Sequence, residues 1–275
     1  MNPFVQMALW AGCAASVTGG IVGSYVVVKR IVFISGSIAH AVLGGMGLFL
    51  FLRRTLDIPW LSPLYGALVA AVIASFFMGW VHVRHKDRED TVIGALWSCG
   101  MALGVIFTAL TPGYNVELMN FLFGNILWVS LSDISLLIGL DLCVFVLTAV
   151  FHKKFLAICF DEQLAELRGI SVRGYYQLLL CLVAISVVVL IQIVGAVLVV
   201  AMLTIPAAIA SGYVRSLGSM MRLAVILSCI CVILGIALSY FLNWPPGATI
   251  ALVASFLYLV SLQLRRFFSR SACRV

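Results

Sequence analysis

The sequence predicts an all-α fold: a polytopic integral membrane protein with about nine transmembrane helices. Of its 275 residues, 64% are hydrophobic and 10% are charged, whereas a soluble domain has about a quarter of its residues charged. Apolar runs long enough to cross a bilayer recur along the whole chain, and basic residues fall in alternate connections between them. These observations leave no room for a large extramembrane domain, so residues 1–275 are expected to form a single transmembrane domain.

Nine segments qualify as crossings, because a helix needs about 20 mainly apolar residues to span the hydrocarbon core. They are 4–28, 32–52, 60–81, 91–111, 131–150, 175–191, 193–212, 222–242 and 247–264. The turn between the sixth and seventh is expected near Gln192, inside a charge-free run from Arg173 to Arg215, and eight helices are the alternative count. Residues 118–130 are too short to cross and are predicted to form an interfacial or re-entrant helix.

The basic residues predict an N-terminus outside the cell and a C-terminus in the cytoplasm. Of the 17 Lys and Arg residues, all except Arg53 and Arg54 then lie on the cytoplasmic side, as the positive-inside rule requires. An error of one helix would break this alternation, so an odd number of crossings is expected. The net charge of +7 therefore reflects cytoplasmic loops, not nucleic-acid binding. His82, His85 and His152 border these loops and are expected to be solvated, with metal sensing as the alternative.

Missing motifs exclude several activities. No GxxxxGKS/T phosphate-binding loop occurs, so the chain cannot hydrolyse ATP by that mechanism. No HExxH, paired-Asp or Ser/His arrangement indicates an intramembrane enzyme. The eight cysteines stand singly, without metal-ligand spacing, which is typical of small buried hydrophobic residues. We therefore expect a transport subunit without a permanently bound cofactor, and a separate chain to hydrolyse any ATP.

His40 is the one imidazole inside a predicted crossing. It lies in ISGSIAHAVLGG, residues 34–45, where small residues recur every fourth position and Gly36 and Gly44 flank the histidine. Small residues let membrane helices approach closely, and a polar group on such a face contacts protein or a permeant, since exposure to lipid is costly. Two interpretations stay open: a packing histidine bonded to a neighbouring carbonyl, or a contact for a passing cation.

Four further residues are weaker candidates. Asp141 is a carboxylate in the middle of the fifth segment, where it either lines a permeation path or is hydrogen-bonded within the bundle. Pro206 lies inside the seventh segment and frees a backbone carbonyl, which suggests a bend at the pathway. Glu117 and Asp133 lie near the outer edge, where they attract cations or are ordinary solvated loop acids.

Residues 161–173 are predicted to form a short cytoplasmic helix that couples to an ATPase. Asp161 can cap a helix from Glu162 to Arg168, and Gly169 can end it. Leu164, Leu167 and Ile170 recur at helical spacing and can fill an apolar socket on a partner. The alternative is an ordinary amphipathic surface helix.

Five stretches, taken in order, match one known family across nearly the whole chain. They are SGSIAHAVLGG (35–45), REDTVIGALWSCGMALGVIF (88–107), FLFGNILWVSLSDI (121–134), DEQLAELRGISV (161–172) and VGAVLVVAMLTIPAAIA (194–210). Together they resemble the permease subunits of bacterial ABC transporters for divalent metals, the zinc/manganese/iron uptake family. The resemblance implies a BtuC-like importer architecture in the bacterial cytoplasmic (inner) membrane, translocating a Mn, Zn or Fe ion. It also implies three kinds of partner: cytoplasmic ATPase subunits, a second permease subunit (a second copy or a paralogue), and an extracytoplasmic metal-binding protein.

One position departs from the family. Relatives often carry an aspartate four residues before the histidine, on the same helical face, and here that residue is Gly36. The aspartate of the implied Asp–His pair that contacts the cation is therefore missing. The imidazole that remains does not by itself select among Mn, Zn and Fe. Two other functions stay open: a permease for an organic chelate of the siderophore or cobalamin type, and an ATP-independent metal channel or secondary transporter.

Overall fold

The structure is a computed structural model that describes residues 3–58, 60–84, 89–112, 121, 124, 126 and 129–272. Within these ranges the chain forms helices and connecting turns, without a β-strand. The helices are α1 (Pro3–Val28), α2 (Val32–Thr55), α3 (Pro63–Arg84), α4 (Glu89–Leu110), α5 (Leu131–Phe160), α6 (Glu162–Leu167), α7 (Val172–Val194), α8 (Ala196–Ser211), α9 (Leu217–Leu242) and α10 (Pro246–Ala272). The predicted all-α membrane fold is confirmed.

Eight of the described helices are long and apolar enough to cross a membrane, and α8, with 16 residues, is a shorter apolar helix. The turn between α7 and α8 lies at Gly195, three residues after Gln192, near which it is predicted. Gly195 adopts φ 85° and ψ 157°, a region open essentially to glycine alone, so the chain reverses there without a loop. Several helices also run past the predicted segments; α5, for example, ends at Phe160 rather than near residue 150.

All the described helices except α6 run between the two ends of the bundle. At one end, the Lys29 end, Lys29 follows α1 and contacts the end of α5. At the other end, Gly124 packs so closely that a Cβ on it would lie 2.3 Å from the carbonyl carbon of Val194. Gly195, where α8 begins, lies beside Gly124 at this second end. Gly212, which follows α8, packs against Arg265 near the end of α10, at the Lys29 end of the bundle. Helix α8 therefore also runs from one end to the other. Nine passes result within the described ranges, as the charge pattern predicts.

Helix packing depends on close backbone contacts, as the small residues predict. A Cβ added at Gly45 of α2 would lie 2.3 Å from the carbonyl oxygen of Gly66 in α3. On the other side of α2, a Cβ at Gly100 of α4 would lie 2.4 Å from the Cα of Ala41. Such approaches favour packing and weak Cα–H···O contacts where lipid offers no hydrophobic driving force. They fix α2 between α3 and α4, and so determine what surrounds His40.

Residues 118–130, predicted to form an interfacial or re-entrant helix, lie mostly outside the described residues. Phe121 and Ile126 are buried, and Ser130 caps the start of α5. The extent of a helix here therefore stays a prediction.

Candidate functional site

His40 lies on α2, against α4. Its ring stacks on the indole of Trp97, with the ring centroids 4.3 Å apart and the planes inclined by 17°. The residue is half-buried, and its Nδ1 atom is buried without a hydrogen-bond partner among the described residues. The described part of the chain therefore offers Nδ1 no neighbouring carbonyl, which is the contact that the packing interpretation requires of a ring nitrogen.

Gly36 leaves the space beside His40 that Trp97 occupies. A Cβ on Gly36 would lie 3.5 Å from Cζ3 of the indole, which is ordinary van der Waals contact. An indole thus covers the position at which the related family often has its aspartate. Trp97 was not among the residues singled out from the sequence, although it lies within the family-like stretch 88–107.

Asp141 is bonded to α1. Its Oδ1 atom accepts hydrogen bonds from the backbone N–H of Thr18 at 3.1 Å and from the Thr18 hydroxyl at 2.5 Å. The carboxylate therefore joins α5 to α1 within the bundle. In the part of the chain described, no three His, Cys, Asp or Glu side chains come together to hold a metal ion, so Asp141 and His40 do not belong to a larger ligand cluster there. A permeation role for Asp141 remains a prediction.

Pro206 lies buried inside α8, where its missing N–H frees the carbonyl four residues earlier. That carbonyl belongs to Met202 and faces Gly19 of α1, since a Cβ added at Gly19 would lie 3.5 Å from the oxygen. The carbonyl oxygen of Leu203 would lie 2.1 Å from a Cβ added at Gly23. The turn of α8 before Pro206 therefore packs against glycines of α1, and a role for Pro206 in the pathway stays a prediction.

The predicted cytoplasmic helix is present as α6. The Asp161 side chain accepts the backbone N–H of Leu164 at 3.0 Å, which satisfies an amide at the start of the helix. Gly169, at φ 75°, ends it, and the N–H of Ile170 returns to the carbonyl of Ala165 at 3.1 Å. Capping and termination are thus as the sequence predicts, although the helix ends one residue earlier, at Leu167.

One side of α6 is anchored and the other is free for contact. Ala165 is buried against the bundle, whereas Leu167 is 86% exposed and Leu164 is 45% exposed. A groove of about 260 Å³ lies beside the helix, between α5 and α6. It is lined by Lys153, Leu156, Ala157, Phe160, Asp161, Leu164, Ala165 and Arg168. A partner can therefore meet both a projecting leucine and an apolar recess with basic residues at its edge.

Glu162, the first residue of α6, ties this helix to two transmembrane helices. Its Oε1 accepts from Nζ of Lys29 at 2.5 Å and lies 3.0 Å from Nε2 of His82, at the end of α3. Lys29 also donates to the carbonyl of Ile158 at 2.8 Å, and the His82 ring stacks on Tyr176 with centroids 4.2 Å apart. Glu162 therefore connects α6 directly to α3 and to the end of α1 and, through the stacking of His82 on Tyr176, to α7.

These contacts correct the prediction that the other histidines are solvated. The His82 side chain is only 16% exposed, because α3 extends past the predicted segment and carries it against α7. His152 lies within α5, and its Nδ1 is 3.0 Å from the hydroxyl of Tyr25. His85 lies outside the described residues. The sequence pattern shows basic loops here, but not how far the helices continue beyond the apolar runs.

Of the two acids predicted to lie near the outer edge, Asp133 has a clear local contact. Its Oδ2 accepts from the backbone N–H of Ser130 at 3.0 Å, and the Ser130 hydroxyl in turn accepts from the Asp133 N–H at 3.3 Å. This reciprocal pair is a capping box that stabilises the start of α5. Glu117 lies outside the described residues. Attraction of external cations by either residue remains a prediction.

Comparison with known proteins places this fold and these segments in one family. The family model "ABC 3 transport family" matches residues 1–265. A "probable metal transport system membrane protein" of Chlamydia muridarum is 44% identical over 264 residues, covering 96% of this chain and 90% of the relative. The manganese import system permease protein ScaB of Streptococcus parasanguinis is 34% identical over 258 residues, covering 94% of this chain and 89% of that protein.

A solved structure agrees with the family model and with the two relatives. PsaBC from Streptococcus pneumoniae, in complex with Fab, superposes with a TM-score of 0.82 at 31% identity, covering 95% of this chain and 91% of that chain. The resemblance inferred from the five sequence stretches is thereby confirmed. With nearly its whole length matched in sequence and in fold, the chain belongs to the ABC 3 transport family, as a multi-pass membrane permease of a metal transport system.

Proposed function

We propose that the chain is the membrane-spanning subunit of an ATP-driven importer that translocates a divalent transition-metal ion, with Mn²⁺ as its principal cargo. The observation that carries this proposal is the His40 site: an imidazole inside the bundle whose Nδ1 has no partner among the described residues. Imidazole suits Mn²⁺, Fe²⁺ and Zn²⁺ alike. Manganese is favoured because the relative ScaB and other similar proteins carry manganese in their names.

A sparse site fits transport better than storage. Four good protein ligands would hold Zn²⁺ tightly, whereas a conduit needs contacts that release the ion quickly. Pairing with a second permease subunit, either a second copy or a paralogue, brings a second imidazole to the shared axis, and waters complete the shell. An extracytoplasmic metal-binding protein delivers the ion.

The energy comes from separate ATPase subunits that dock on α6. No phosphate-binding loop occurs in this chain, and α6 offers Leu164 and Leu167 to a partner while Glu162 holds the helix to α1 and α3. This arrangement requires the Lys29 end to lie in the cytoplasm, in agreement with the basic residues concentrated in its loops. The N-terminus then lies outside the cytoplasmic membrane.

Reconstitution tests the proposal. The permease, its ATPase and its external binding protein are placed in vesicles, and uptake of Mn²⁺, Fe²⁺ and Zn²⁺ is measured with ATP and with a non-hydrolysable analogue. We expect Mn²⁺ accumulation that requires ATP hydrolysis and the binding protein. Equal uptake with the analogue would contradict ATP coupling and favour a channel, and uptake of a metal chelate without the free ion would favour the organic-chelate alternative.

A further inference from the structure

A second groove at the Lys29 end is separate from the one beside α6. It opens between α1, α5 and α9 and has a volume of about 290 Å³. Its lining residues are Ile21, Phe145, Thr148, Ala149, His152, Gly218, Met221, Arg222 and Val225. Phe145 is 60% exposed at its margin, so the groove opens on the outer surface of this subunit, where a membrane protein meets lipid.

Among the described residues that line the groove, the charged side chain is a cation, which suits an anionic ligand. Arg222, on α9, is exposed, and its guanidinium donates one hydrogen bond to the Ser219 hydroxyl at 3.3 Å, which leaves most of its five N–H donors for a ligand. His152 Nδ1 lies 3.0 Å from the Tyr25 hydroxyl. When that hydroxyl donates to Nδ1, the ring proton is on Nε2, which then donates to an anion in the groove. No acidic side chain is among the described residues that line it.

We propose that this groove binds an anionic glycerophospholipid. The phosphate lies on Arg222 and His152, and part of one acyl chain lies along Ile21, Phe145 and Val225. A guanidinium matches phosphate with paired hydrogen bonds, and basic pockets between membrane helices recognise lipid head groups. A free phosphate would use only the cationic edge of the groove, whereas the lipid also covers its apolar wall.

The open volume gives the proposal a steric test besides an electrostatic one. A Cβ added at Gly218 meets nothing within 4 Å, so a larger side chain there enters the groove without disturbing the bundle. Gly139 of α5 has equally open space and is exposed, but it does not line the groove. It is therefore a matched control for the same substitution. Arg215 is an exposed arginine in the turn before α9 and serves as the control for Arg222.

Native mass spectrometry of the detergent-purified chain measures the binding directly. Phosphatidylglycerol and phosphatidylcholine of equal chain length are added at equal concentration, and the lipid-bound fraction is followed. We expect selective retention of phosphatidylglycerol. Arg222→Gln should weaken it about tenfold, the loss expected for one charge-assisted hydrogen bond. Gly218→Leu should remove it, and Arg215→Gln and Gly139→Leu should retain it.

Three outcomes would overturn the proposal. Phosphatidylglycerol retention unchanged in both Arg222→Gln and Gly218→Leu would show that the lipid binds elsewhere. Displacement of the lipid by millimolar inorganic phosphate alone would identify a free-anion site. Loss of permease pairing in Gly218→Leu, with lipid retention intact, would identify the groove as a contact for a second copy. Because the readout is binding by the isolated chain, failure here leaves the metal-transport proposal unaffected.

Discussion

At His40, the indole of Trp97 sets the plane of the imidazole, with 4.3 Å between the ring centroids. A stacked pair holds the ring without using either nitrogen, so Nδ1 stays available while its orientation is fixed. Gly36 leaves room on the face that the indole covers, and a Cβ there would make only ordinary contact with Trp97. A ring oriented in advance loses less conformational entropy when a cation arrives.

Substitution of His40 separates ligation from packing. His40→Ala is expected to reduce metal uptake at least about tenfold, because even the outer partners of metal ligands contribute about 10–100-fold in affinity. His40→Asn still hydrogen-bonds a carbonyl but ligates poorly, so it should not restore uptake. Gly36→Ala is the control: its Cβ makes ordinary contact with Trp97, and uptake should persist. Uptake is measured in reconstituted vesicles.

Assembly with the ATPase should be normal in all three variants. Full uptake by His40→Asn would assign the histidine to packing and leave metal ligation to other groups.

The sequence identifies His40 but not Trp97, the residue on which its ring stacks. The histidine is conspicuous because its neighbours are small and apolar, and Gly36 stands out once the family resemblance is recognised. Trp97 lies on α4, and its position over His40 depends on the close approach of Gly100 to Ala41. Helix periodicity shows that such a contact is possible, but it does not determine which pair of faces makes it.

At the level of the helices, α6 shows the difference between contacts of residues close in sequence, which can be predicted, and contacts of residues far apart in sequence, which cannot. The Asp161 cap and the stop at Gly169 follow from short-range rules, and the structure has both. The attachment of Glu162 to Lys29 and His82 joins residues 133 and 80 positions apart, and no local pattern encodes it. Sequence therefore predicts that α6 exists, whereas tertiary packing determines which helices it contacts.

Leu167→Asp tests the coupling role of α6. Because Leu167 is 86% exposed, its replacement should change the stability of the isolated permease by no more than about 0.5 kcal/mol. A carboxylate in an apolar socket on the ATPase is unfavourable, so ATP turnover stimulated by the metal-loaded binding protein should be lost. Turnover is measured in vesicles. Glu166→Gln, an exposed position on the same helix, should behave like the parent, and normal stimulated turnover in Leu167→Asp would contradict docking through this residue.

Across the whole molecule, the charge pattern and the fold lead to the same count of passes by independent routes. Alternating basic connections require an odd number of crossings. The described part of the chain supplies nine end-to-end helices only because α8, shorter than a typical crossing, still connects Gly195 to the turn beside Arg265. Hydropathy alone places the boundary between α7 and α8 poorly, because both sides are equally apolar. The glycine conformation defines it.

The proposed orientation predicts which residues face the exterior. In a background free of the eight cysteines, Ser132→Cys at the start of α5 should react with a membrane-impermeant maleimide in intact cells. Arg215→Cys, at the Lys29 end, should react only after permeabilisation. Both positions are exposed, so access depends on the side of the membrane. Labelling of Arg215→Cys in intact cells would reverse the assignment.

The turn at Gly195 also has a consequence for how the chain enters the membrane during synthesis. With 16 residues, α8 is about 24 Å long, less than the roughly 30 Å of hydrocarbon that a crossing must cover. No charged residue separates it from α7, since the next charges lie at Arg173 and Arg215. Neither helix therefore has a charged boundary at Gly195 to stop its transfer, and we expect the two helices to enter the membrane together as one unit.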